Sequence, residues 1–321
     1  MLKLVGVTML ALAAAITGAQ AQSFPSRPIT IIAPTTAGGP PDTIGRLIAE
    51  RMKAVLGQPV VVENVTGAGG TLGVARVARA APDGYTVSIG HLNTHVFSSL
   101  SYNTPYDVLK DFAPVAMLTT APMLFVARTG LPPNDLKELL AWMKANPNAA
   151  SFGAVGVGGP ATVWGTDFKS RNSVTFQFVP YRGAAAIMQD LVAGQIDLAC
   201  VEASNVLPHL RSGKVKPYAV LTKAPWPVMP DIPPIDEAVG FTMMFWHGLW
   251  VPKDTPAEAI GKLNAATMDA LADPTVRARL TQIGQEIVPR EQQSPQALGA
   301  HHKAEVEKWL PVIKAAGIKA E

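Results

Sequence analysis

The stretch Ala33-Pro-Thr-Thr-Ala-Gly-Gly-Pro-Pro-Asp42 joins an apolar segment to a helical pattern, and the rest of the chain is organised around it. Residues 28–33 are rich in β-branched side chains and bounded by prolines, which predicts a short buried strand. After the stretch, apolar residues recur at helical spacing at Ile44, Leu47, Ile48, Met52 and Val55. This stripe is typical of an amphipathic helix. The mature sequence therefore begins with a strand–loop–helix unit.

The loop of this unit has the composition of an anion site. Gly38 and Gly39 let a ligand approach the backbone closely, because neither residue carries a Cβ. The helix start is expected to offer unpaired N–H groups and the positive end of its dipole. Thr35 and Thr36 add hydroxyl donors for a carboxylate. Asp42 is either a further ligand-binding group or the N-cap of the helix.

Length and composition indicate a globular chain of two ordinary domains. The chain has 321 residues, of which 48% are apolar and 16% charged, so each domain can bury its own core. The net charge is only +3, and no basic stripe with interleaved aromatic residues occurs, which argues against nucleic-acid binding. Cys200 is the only cysteine, which excludes an internal disulfide.

The first residues have the pattern of a secretory signal. Lys3 precedes an apolar run over residues 4–16, and Ala19-Gln-Ala21 supplies the small residues of a cleavage site. We predict that residues 1–21 are removed and that the mature chain is exported with a net charge of +2. The apolar run is shorter than the roughly 20 residues that a spanning helix needs, so a membrane anchor is the less favoured interpretation.

Strand–loop–helix units recur after the opening one. Residues 60–63 and 85–89 have the pattern of strands, and loops follow them at residues 67–73 and 90–95. Such repetition is typical of an α/β domain with a mainly parallel sheet. Because ligands bind beyond the carboxyl ends of the strands in these sheets, we expect all three loops to lie at the ligand-binding edge.

Two apolar segments predict that the chain crosses between two lobes. Residues 114–127 are apolar with a polar break at Thr119-Thr120, which predicts two successive strands leaving the first lobe. Residues 245–252 predict the return crossing. This pattern describes a hinged clamshell with a cleft between its lobes. The predicted lobes are residues 22–121 with 250–321, and residues 122–249.

A second glycine-rich loop resembles the first. Residues 153–159 contain four glycines and lead from a short strand into a predicted helix. The glycines Gly156, Gly158 and Gly159 could therefore present free N–H groups to an anion, although a plain flexible turn is the alternative. Two such loops, one from each lobe, could close on the two ends of one anionic molecule.

Several side chains near strand ends are further candidates. His91 and His95 follow the third predicted strand and could reach the cleft. Asp197, near the end of a short strand, could receive an amine or a hydroxyl, or it could cap neighbouring backbone, and both interpretations stay open. Arg182 is either an electrostatic partner for a carboxylate or an ordinary surface residue.

Other conspicuous residues are assigned to structure. His301 and His302 fall in a charged helix and are predicted to be solvated, whereas His209 is predicted to lie on a partly buried helix face. Trp246 and Trp250 are assigned to core and hinge packing.

Motifs for catalysis and cofactors are incomplete. Gly67, Gly69 and Gly73 resemble a dinucleotide fingerprint, but no acid ends the next strand, so a tight turn is the favoured interpretation. The sequence contains no Walker motif, no zinc-binding His-Glu-x-x-His and no Gly-x-Ser-x-Gly elbow. We therefore predict no cofactor, no metal and no catalytic residue.

Short motifs follow one another in a fixed order along nearly the whole mature chain. They are Pro28-Ile-Thr-Ile-Ile-Ala-Pro34, Ala37-Gly-Gly39, Leu56-Gly-Gln-Pro-Val-Val-Val-Glu-Asn64, Gly67-Ala-Gly-Gly70, Ala81-Pro-Asp-Gly-Tyr85, Asp111-Phe-Ala-Pro-Val115, Val179-Pro-Tyr-Arg-Gly183, Gly194-Gln-Ile-Asp197 and Leu207-Pro-His209. In this order they resemble the substrate-binding proteins of tripartite tricarboxylate transporters, the Bug family of periplasmic receptors.

The resemblance implies an α/β fold of the two-lobed periplasmic-binding-protein kind (type II-like), each lobe a mainly parallel sheet flanked by helices. It implies a periplasmic, monomeric receptor that closes on a small organic acid and presents it to the membrane permease of a tripartite tricarboxylate transporter. The acid would be a mono- or dicarboxylate, aromatic acids included. A secreted enzyme acting on a small organic acid is the alternative function.

The resemblance also implies which residues bind the ligand. In the family, main-chain groups, hydroxyls and bridging waters of two loops hold the carboxylates, and these loops correspond to residues 34–42 and 153–162. The sequence departs from relatives at Thr35 and Thr36, where a Phe often follows the proline, and at Gly159 and Thr162, where Ser and His are common. Further binding residues implied are Thr162, His91, Asn93, Thr94, Tyr181 and Asp197.

Overall fold

A computed structural model describes residues 24–315 and residue 317, so the predicted signal peptide lies outside the described residues. The strands are β1 Ile29–Ala33, β2 Val60–Asn64, β3 Thr86–His91, β4 Phe112–Arg128, β5 Ser151–Val155, β6 Gln177–Tyr181, β7 Leu198–Glu202, β8 Val215–Val220, β9 Met244–Pro252 and β10 Glu286–Ile287. The helices are α1 Pro40–Leu56, α2 Thr71–Ala78, α3 Ser98–Ser101, α4 Leu136–Ala145, α5 Pro160–Asn172, α6 Ala184–Val192, α7 Ala203–Arg211, α8 Ala257–Ala272, α9 Pro274–Gln282 and α10 Pro295–Ala315.

The sheet contains two parallel units joined by antiparallel strands. Its strand order is β2-β1-β3-β9-β4-β7-β5-β6. The first parallel unit is β2-β1-β3 and the second parallel unit is β6-β5-β7. Helices cover the faces of this curled sheet, as the two-lobed α/β fold predicted from the sequence requires.

The long strand β4 links the two units. Residues 112–122 of β4 pair with β9, and residues 123–128 pair with β7 and β8. The prediction of two successive strands is wrong, because pairing passes from β9 directly to β7 and β8 without a break. The polar residue Thr119 interrupts only the register, which shifts between Met117 and Thr119. Residues 245–252, predicted as the return crossing, form most of strand β9.

Helix α1 begins one turn earlier than an Asp42 N-cap would require. Its N-cap is Gly39, and Pro40 and Pro41 occupy the first helical turn, where proline is favoured because its fixed φ suits the helix. The helix ends at Leu56 and is capped by Gly57, whose positive φ of 67° allows its N–H to bond the carbonyl of Lys53. The assignment of Asp42 as N-cap is therefore wrong.

Two other local predictions need correction. The third strand extends to His91, and residues 93–97 form a π-helical turn rather than an open loop. His302 is buried instead of solvated, because it lies on the core-facing stripe of α10 with Leu298 and Val306. Its Nε2 lies 2.8 Å from the carbonyl of His95. His301 is half-buried beside Trp246.

Candidate ligand-binding site

An open cleft of about 630 Å³ lies at the carboxyl ends of both parallel units. The last residue of five of their strands, or the residue after it, lines the cleft: Pro34 after β1, His91 in β3, Val155 in β5, Tyr181 in β6 and Glu202 in β7. This is the position at which parallel α/β sheets bind ligands. The expectation that the loops after the strands share one edge is confirmed.

Five helices begin at this cleft. The lining includes the N-cap or first turn of α1, α5, α6 and α7, together with the turn that leads into α2. Each helix start carries about half a positive charge from the aligned peptide dipoles. The lining residues in question are Gly39, Pro40, Gly69, Gly70, Pro160, Ala161, Gly183, Ala184, Glu202 and Asn205. Their convergence favours an anionic ligand.

The first loop contributes differently from the sequence-based prediction. Pro40 and Pro41 have no N–H, and the N–H of Gly39 donates to the carbonyl of Thr36 at 3.1 Å. The start of α1 therefore presents its dipole to the cleft rather than free N–H groups of its first two residues. Thr35 and Thr36 line the cleft, and Oγ1 of Thr35 is buried with no hydrogen-bond partner among the described residues.

Asp42 shapes this loop and does not line the cleft. Its carboxylate accepts hydrogen bonds from the N–H of Gly38 at 2.8 Å, from Arg46 Nε at 2.9 Å and from Asn64 Nδ2 at 3.0 Å. Burial opposes ionisation, but these hydrogen bonds and the Arg46 charge outweigh it and lower the pKa of Asp42. Gly38, with φ at 79°, adopts the left-handed conformation that glycine tolerates.

The second loop has the same connection to a helix. Gly159 is the N-cap of α5, Pro160 follows it, and Gly156 lines the cleft. Thr162 points its hydroxyl back to the carbonyl of Gly156 at 3.2 Å, so it fixes the loop. The carbonyl of Gly158 accepts a hydrogen bond from Ser101 at 3.2 Å. Gly158, Gly159 and Thr162 therefore support the cleft rather than line it.

His91 presents a defined tautomer to the cleft. The N–H of Thr94 donates to Nδ1 of His91 at 3.3 Å, so Nδ1 is an acceptor and the proton of the neutral ring lies on Nε2. Burial lowers the pKa of His91 to about 4, which keeps the ring neutral. Asn93 also lines the cleft, whereas Thr94 is fully buried and positions His91 and His95. His95 stacks on Trp250 in the core.

Tyr181 and Arg182 both line the cleft from the second parallel unit. The hydroxyl of Tyr181 donates to Asp190 at 2.6 Å, and burial together with that carboxylate raises the pKa of Tyr181 to about 12. Arg182 is exposed and has no ion pair among the residues of the described chain. Its charge is therefore available to an anion at the rim.

Asp197 lies at the wrong end of β7 to bind a ligand in the cleft. It precedes the strand, whereas Glu202, at the opposite end, lines the cleft. Its carboxylate accepts from Arg128 Nε at 2.7 Å and from the N–H of Ser151 at 2.9 Å. These bonds overcome burial and lower the pKa of Asp197. The backbone-capping interpretation is confirmed, and the ligand-binding one is wrong.

Sequence reasoning missed Glu202. It is only 4% exposed, and Gln285 and Ser204 donate to its Oε1. Burial raises the pKa of Glu202 to about 7, although these hydrogen bonds oppose the shift. A lone acid at the carboxyl end of an apolar strand was the available signal, because that position faces the ligand edge of a parallel sheet.

The described residues contain no group of three His, Cys, Asp or Glu side chains that could hold a metal ion. Within the same residues, no helix combines the length and apolar character that crossing a bilayer requires.

Residues 44–318 match the family model described as the tripartite tricarboxylate transporter family receptor. Because the match covers most of the chain, this protein belongs to that family. The resemblance found from the motifs is confirmed.

Solved structures agree with this assignment. The periplasmic binding protein BugD is 38% identical, with a TM-score of 0.86 over 93% of this chain and 100% of its own. MatC from Rhodopseudomonas palustris, solved with bound malate, is 39% identical, with a TM-score of 0.85 over 90% of this chain and 100% of its own. Rpa4515 from R. palustris, solved with adipate, is 32% identical, with a TM-score of 0.85 over 92% of this chain and 99% of its own. The chain is a solute-binding receptor of the Bug type.

Proposed function

We propose that this protein captures a small organic carboxylate in the cleft between its lobes and delivers it to the permease of a tripartite tricarboxylate transporter. The observation that carries the proposal is the convergence of five helix starts on one cleft. A carboxylate there would meet positive dipole ends, hydroxyl donors and, at the rim, the charge of Arg182. The malate and adipate held by two relatives belong to the same chemical class.

The binding residues proposed for the carboxylate supply donors or positive charge. Among the described residues, the Thr35 hydroxyl has no hydrogen-bond partner and the Arg182 guanidinium has no ion pair, while His91 has its proton on Nε2. Thr36, Asn93, Gly156 and Ala161 also line the cleft, from the two loops and the π-helical turn. Malate and adipate differ in length, so the residues around the far end of the ligand would select among acids.

Closure of two lobes would be the working motion. We propose the division at residues 22–121 with 250–321, and 122–249, because β4 changes its pairing partners between residues 122 and 123. Ser101 already donates across the cleft to Gly158. A ligand that contacts both loops would stabilise the closed arrangement through its differential affinity.

Export would bring the receptor to its partner. Members of the family include periplasmic binding proteins, and the predicted signal at residues 1–21 supports the same location for this chain. A monomer that takes up its acid in the periplasm and docks on the permease follows from this proposal. No reaction is assigned to the cleft.

The test is a binding panel on protein that has been unfolded and refolded to remove carried-over ligand. Mono-, di- and tricarboxylates and aromatic acids are compared by thermal shift and calorimetry. A ligand at 100 times its Kd should add about 2.7 kcal/mol to the free energy of unfolding. Absence of binding across the panel, with the refolded protein melting cooperatively, would overturn the proposed function.

A further inference from the structure

A chain of buried hydrogen bonds behind the cleft ends at one oxygen of Glu202. The hydroxyl of Thr119 donates to Oε1 of Gln285 at 2.7 Å, and Nε2 of Gln285 donates to Oε1 of Glu202. The same oxygen accepts a hydrogen bond from Ser204 Oγ at 3.0 Å. No donor among the described residues reaches the other oxygen, Oε2, although the side chain is buried. The carboxyl group therefore has one satisfied oxygen and one without a partner.

His247 faces the oxygen that has no partner. Because Thr119 gives its proton to Gln285, its own oxygen accepts a proton from His247 Nδ1 at 3.3 Å. Burial keeps the pKa of His247 well below its usual range, so the ring is neutral and its Nε2 carries no proton. This Nε2 is buried, has no hydrogen-bond partner among the described residues and lies 3.7 Å from Glu202 Oε2. Two buried acceptors in this position are unfavourable unless one of them is protonated.

A single proton on Glu202 would satisfy both atoms. Protonated Oε2 could donate to His247 Nε2 after a movement of roughly 1 Å, while Oε1 goes on accepting from its two donors. Burial raises the pKa of Glu202 to about 7, although those two hydrogen bonds oppose the shift. The proton therefore belongs on the carboxyl group and not on the imidazole.

The other ionisable groups that line this cleft do not titrate near neutral pH. They are His91 on β3, Cys200 on β7, Tyr181 at the end of β6 and Arg182 after it. Burial lowers the pKa of His91 to about 4 and raises the pKa of Cys200 well above its usual range, and burial with Asp190 raises the pKa of Tyr181 to about 12. Arg182 carries a permanent positive charge. Among these groups, Glu202 is the one whose charge changes near pH 7.

Building on the receptor function proposed above, we propose that the receptor binds its carboxylate together with one proton, held on Glu202 Oε2 against His247 Nε2. An ionised Glu202 would put a second negative charge in the wall of the cleft beside the bound anion, and the two charges repel each other more strongly where closure excludes water. Solvent supplies the proton, and the O–H bond of Glu202 is the only bond formed. Ligand binding is therefore tighter at neutral than at alkaline pH.

Calorimetry between pH 7 and pH 9 on the unaltered, ligand-stripped protein tests this coupling. The probes are L-malate, adipate and the tightest-binding acid of the panel described above. The Kd should rise at least tenfold over this range, and titrations in two buffers of different ionisation enthalpy should show uptake of most of one proton per ligand at pH 8. A constant Kd without proton uptake would overturn the coupling and leave a carboxylate receptor intact. Absence of binding across the whole panel would overturn the receptor function and the coupling with it.

A variant that mimics the protonated side chain assigns the proton to Glu202. Glu202→Gln keeps an uncharged group with an N–H in place of the carboxyl O–H, so its Kd should vary less than twofold between pH 7 and pH 9. At pH 9 it should bind at least tenfold more tightly than the wild type, a gain that poor folding cannot produce. Asp197→Asn, at the other end of β7, is the matched control and should keep the wild-type pH dependence. A wild-type pH dependence in Glu202→Gln would mean that another group takes up the proton, which contradicts the assignment.

Discussion

In both parallel units, the loop between the central strand and the following helix ends in the same backbone conformation, but the side chains that hold the two loops differ. The loop after β1 ends at Gly39 with φ −72° and ψ 166°, and the loop after β5 ends at Gly159 with φ −78° and ψ 169°. A proline opens the helix in both cases. The central strand of each unit therefore feeds a helix through the same extended glycine and proline pair.

The difference lies in what fixes each loop and in what the third strand presents. The first loop is fixed within its own unit, by Asp42, whereas the second is fixed in part across the cleft, by Ser101. The third strand of the first unit ends in the donor His91, and that of the second ends in the acceptor Glu202. A repeated backbone thus carries different polar side chains at corresponding strand ends.

The largest expected effect is a pH dependence of the free energy of unfolding, and it distinguishes the strand end at Glu202 from the one at His91. The pKa of Glu202 is about 7 in the folded protein, against 4.5 for an unperturbed glutamate. Its contribution to stability is therefore complete below pH 4.5 and lost as the pH rises through 7. Relative to the wild type, Glu202→Gln should gain about 2 to 3 kcal/mol in free energy of unfolding between pH 5 and pH 8. Urea unfolding at both values measures this.

The histidines change stability in the opposite direction. The pKa values of His91 and His302 are both about 4, so their contribution is lost as the pH falls from 6.5 through 4. The Glu202→Gln variant and the wild type share this acid sensitivity, so it cancels when their free energies of unfolding are subtracted. A difference that stays constant from pH 5 to pH 8 would show that Glu202 is already ionised in the folded protein.

The paired glycines should respond unequally to the same substitution. A Cβ added to Gly159 would lie 2.3 Å from the carbonyl oxygen of Val155, a distance too short for real structures. A Cβ added to Gly39 would lie 3.1 Å from the carbonyl oxygen of Thr36, which is a tight but tolerable contact. Gly159→Ala should therefore lose about 2 kcal/mol of stability and most ligand affinity, while Gly39→Ala should lose less than about 1 kcal/mol. Chemical unfolding and calorimetry measure both, and equal losses would contradict the proposed difference between the loops.

Much of this architecture follows from sequence periodicity and punctuation. β-branched runs before glycine-rich loops predicted the parallel strands, and the apolar segments at residues 114–127 and 245–252 predicted where the chain passes between the two units, although not that these segments form one antiparallel pair. These signals are local, because the pattern of a buried strand or of an amphipathic helix can be recognised within about ten residues.

The side chains of the site were harder to predict because their roles depend on distant partners. In the sequence, Asp42 and Asp197 are isolated acids with no evident partner. In the structure, Asn64 donates to Asp42 and Arg128 donates to Asp197, and no local sequence pattern indicates these contacts. Glu202 accepts a hydrogen bond from Gln285, which lies 83 positions away in the sequence, so its environment could not be read from neighbouring residues. The two prolines after Gly39 were a readable signal that the first helix has few free N–H groups.

The threonine pair tests whether the first loop binds the ligand through side chains. Because Thr35 and Thr36 are the donors of a loop whose helix begins with two prolines, replacing both with Ala should raise the Kd about tenfold, equivalent to 1.4 kcal/mol. The melting temperature without ligand should change little, since Thr35 Oγ1 has no partner among the described residues. Calorimetry measures the loss, and an unaltered Kd would assign carboxylate binding to the second loop and the π-helical turn.

The smallest expected effect concerns the hydrogen bond across the cleft. Ser101 donates to Gly158 in the opposite loop, whereas Ser99, on the same short helix α3, donates to Thr94 on its own side. A neutral hydrogen bond contributes roughly 0.5–1.5 kcal/mol. If Ser101 stabilises the closed arrangement, Ser101→Ala should weaken ligand binding about threefold to fivefold while lowering the stability of the ligand-free protein no more than Ser99→Ala does. Ser99→Ala should leave affinity unchanged, because its bond is present whether the cleft is open or closed. Equal effects of the two variants on affinity would mean that the Ser101 bond stabilises α3 rather than closure, and the second loop would then be fixed within its own unit like the first.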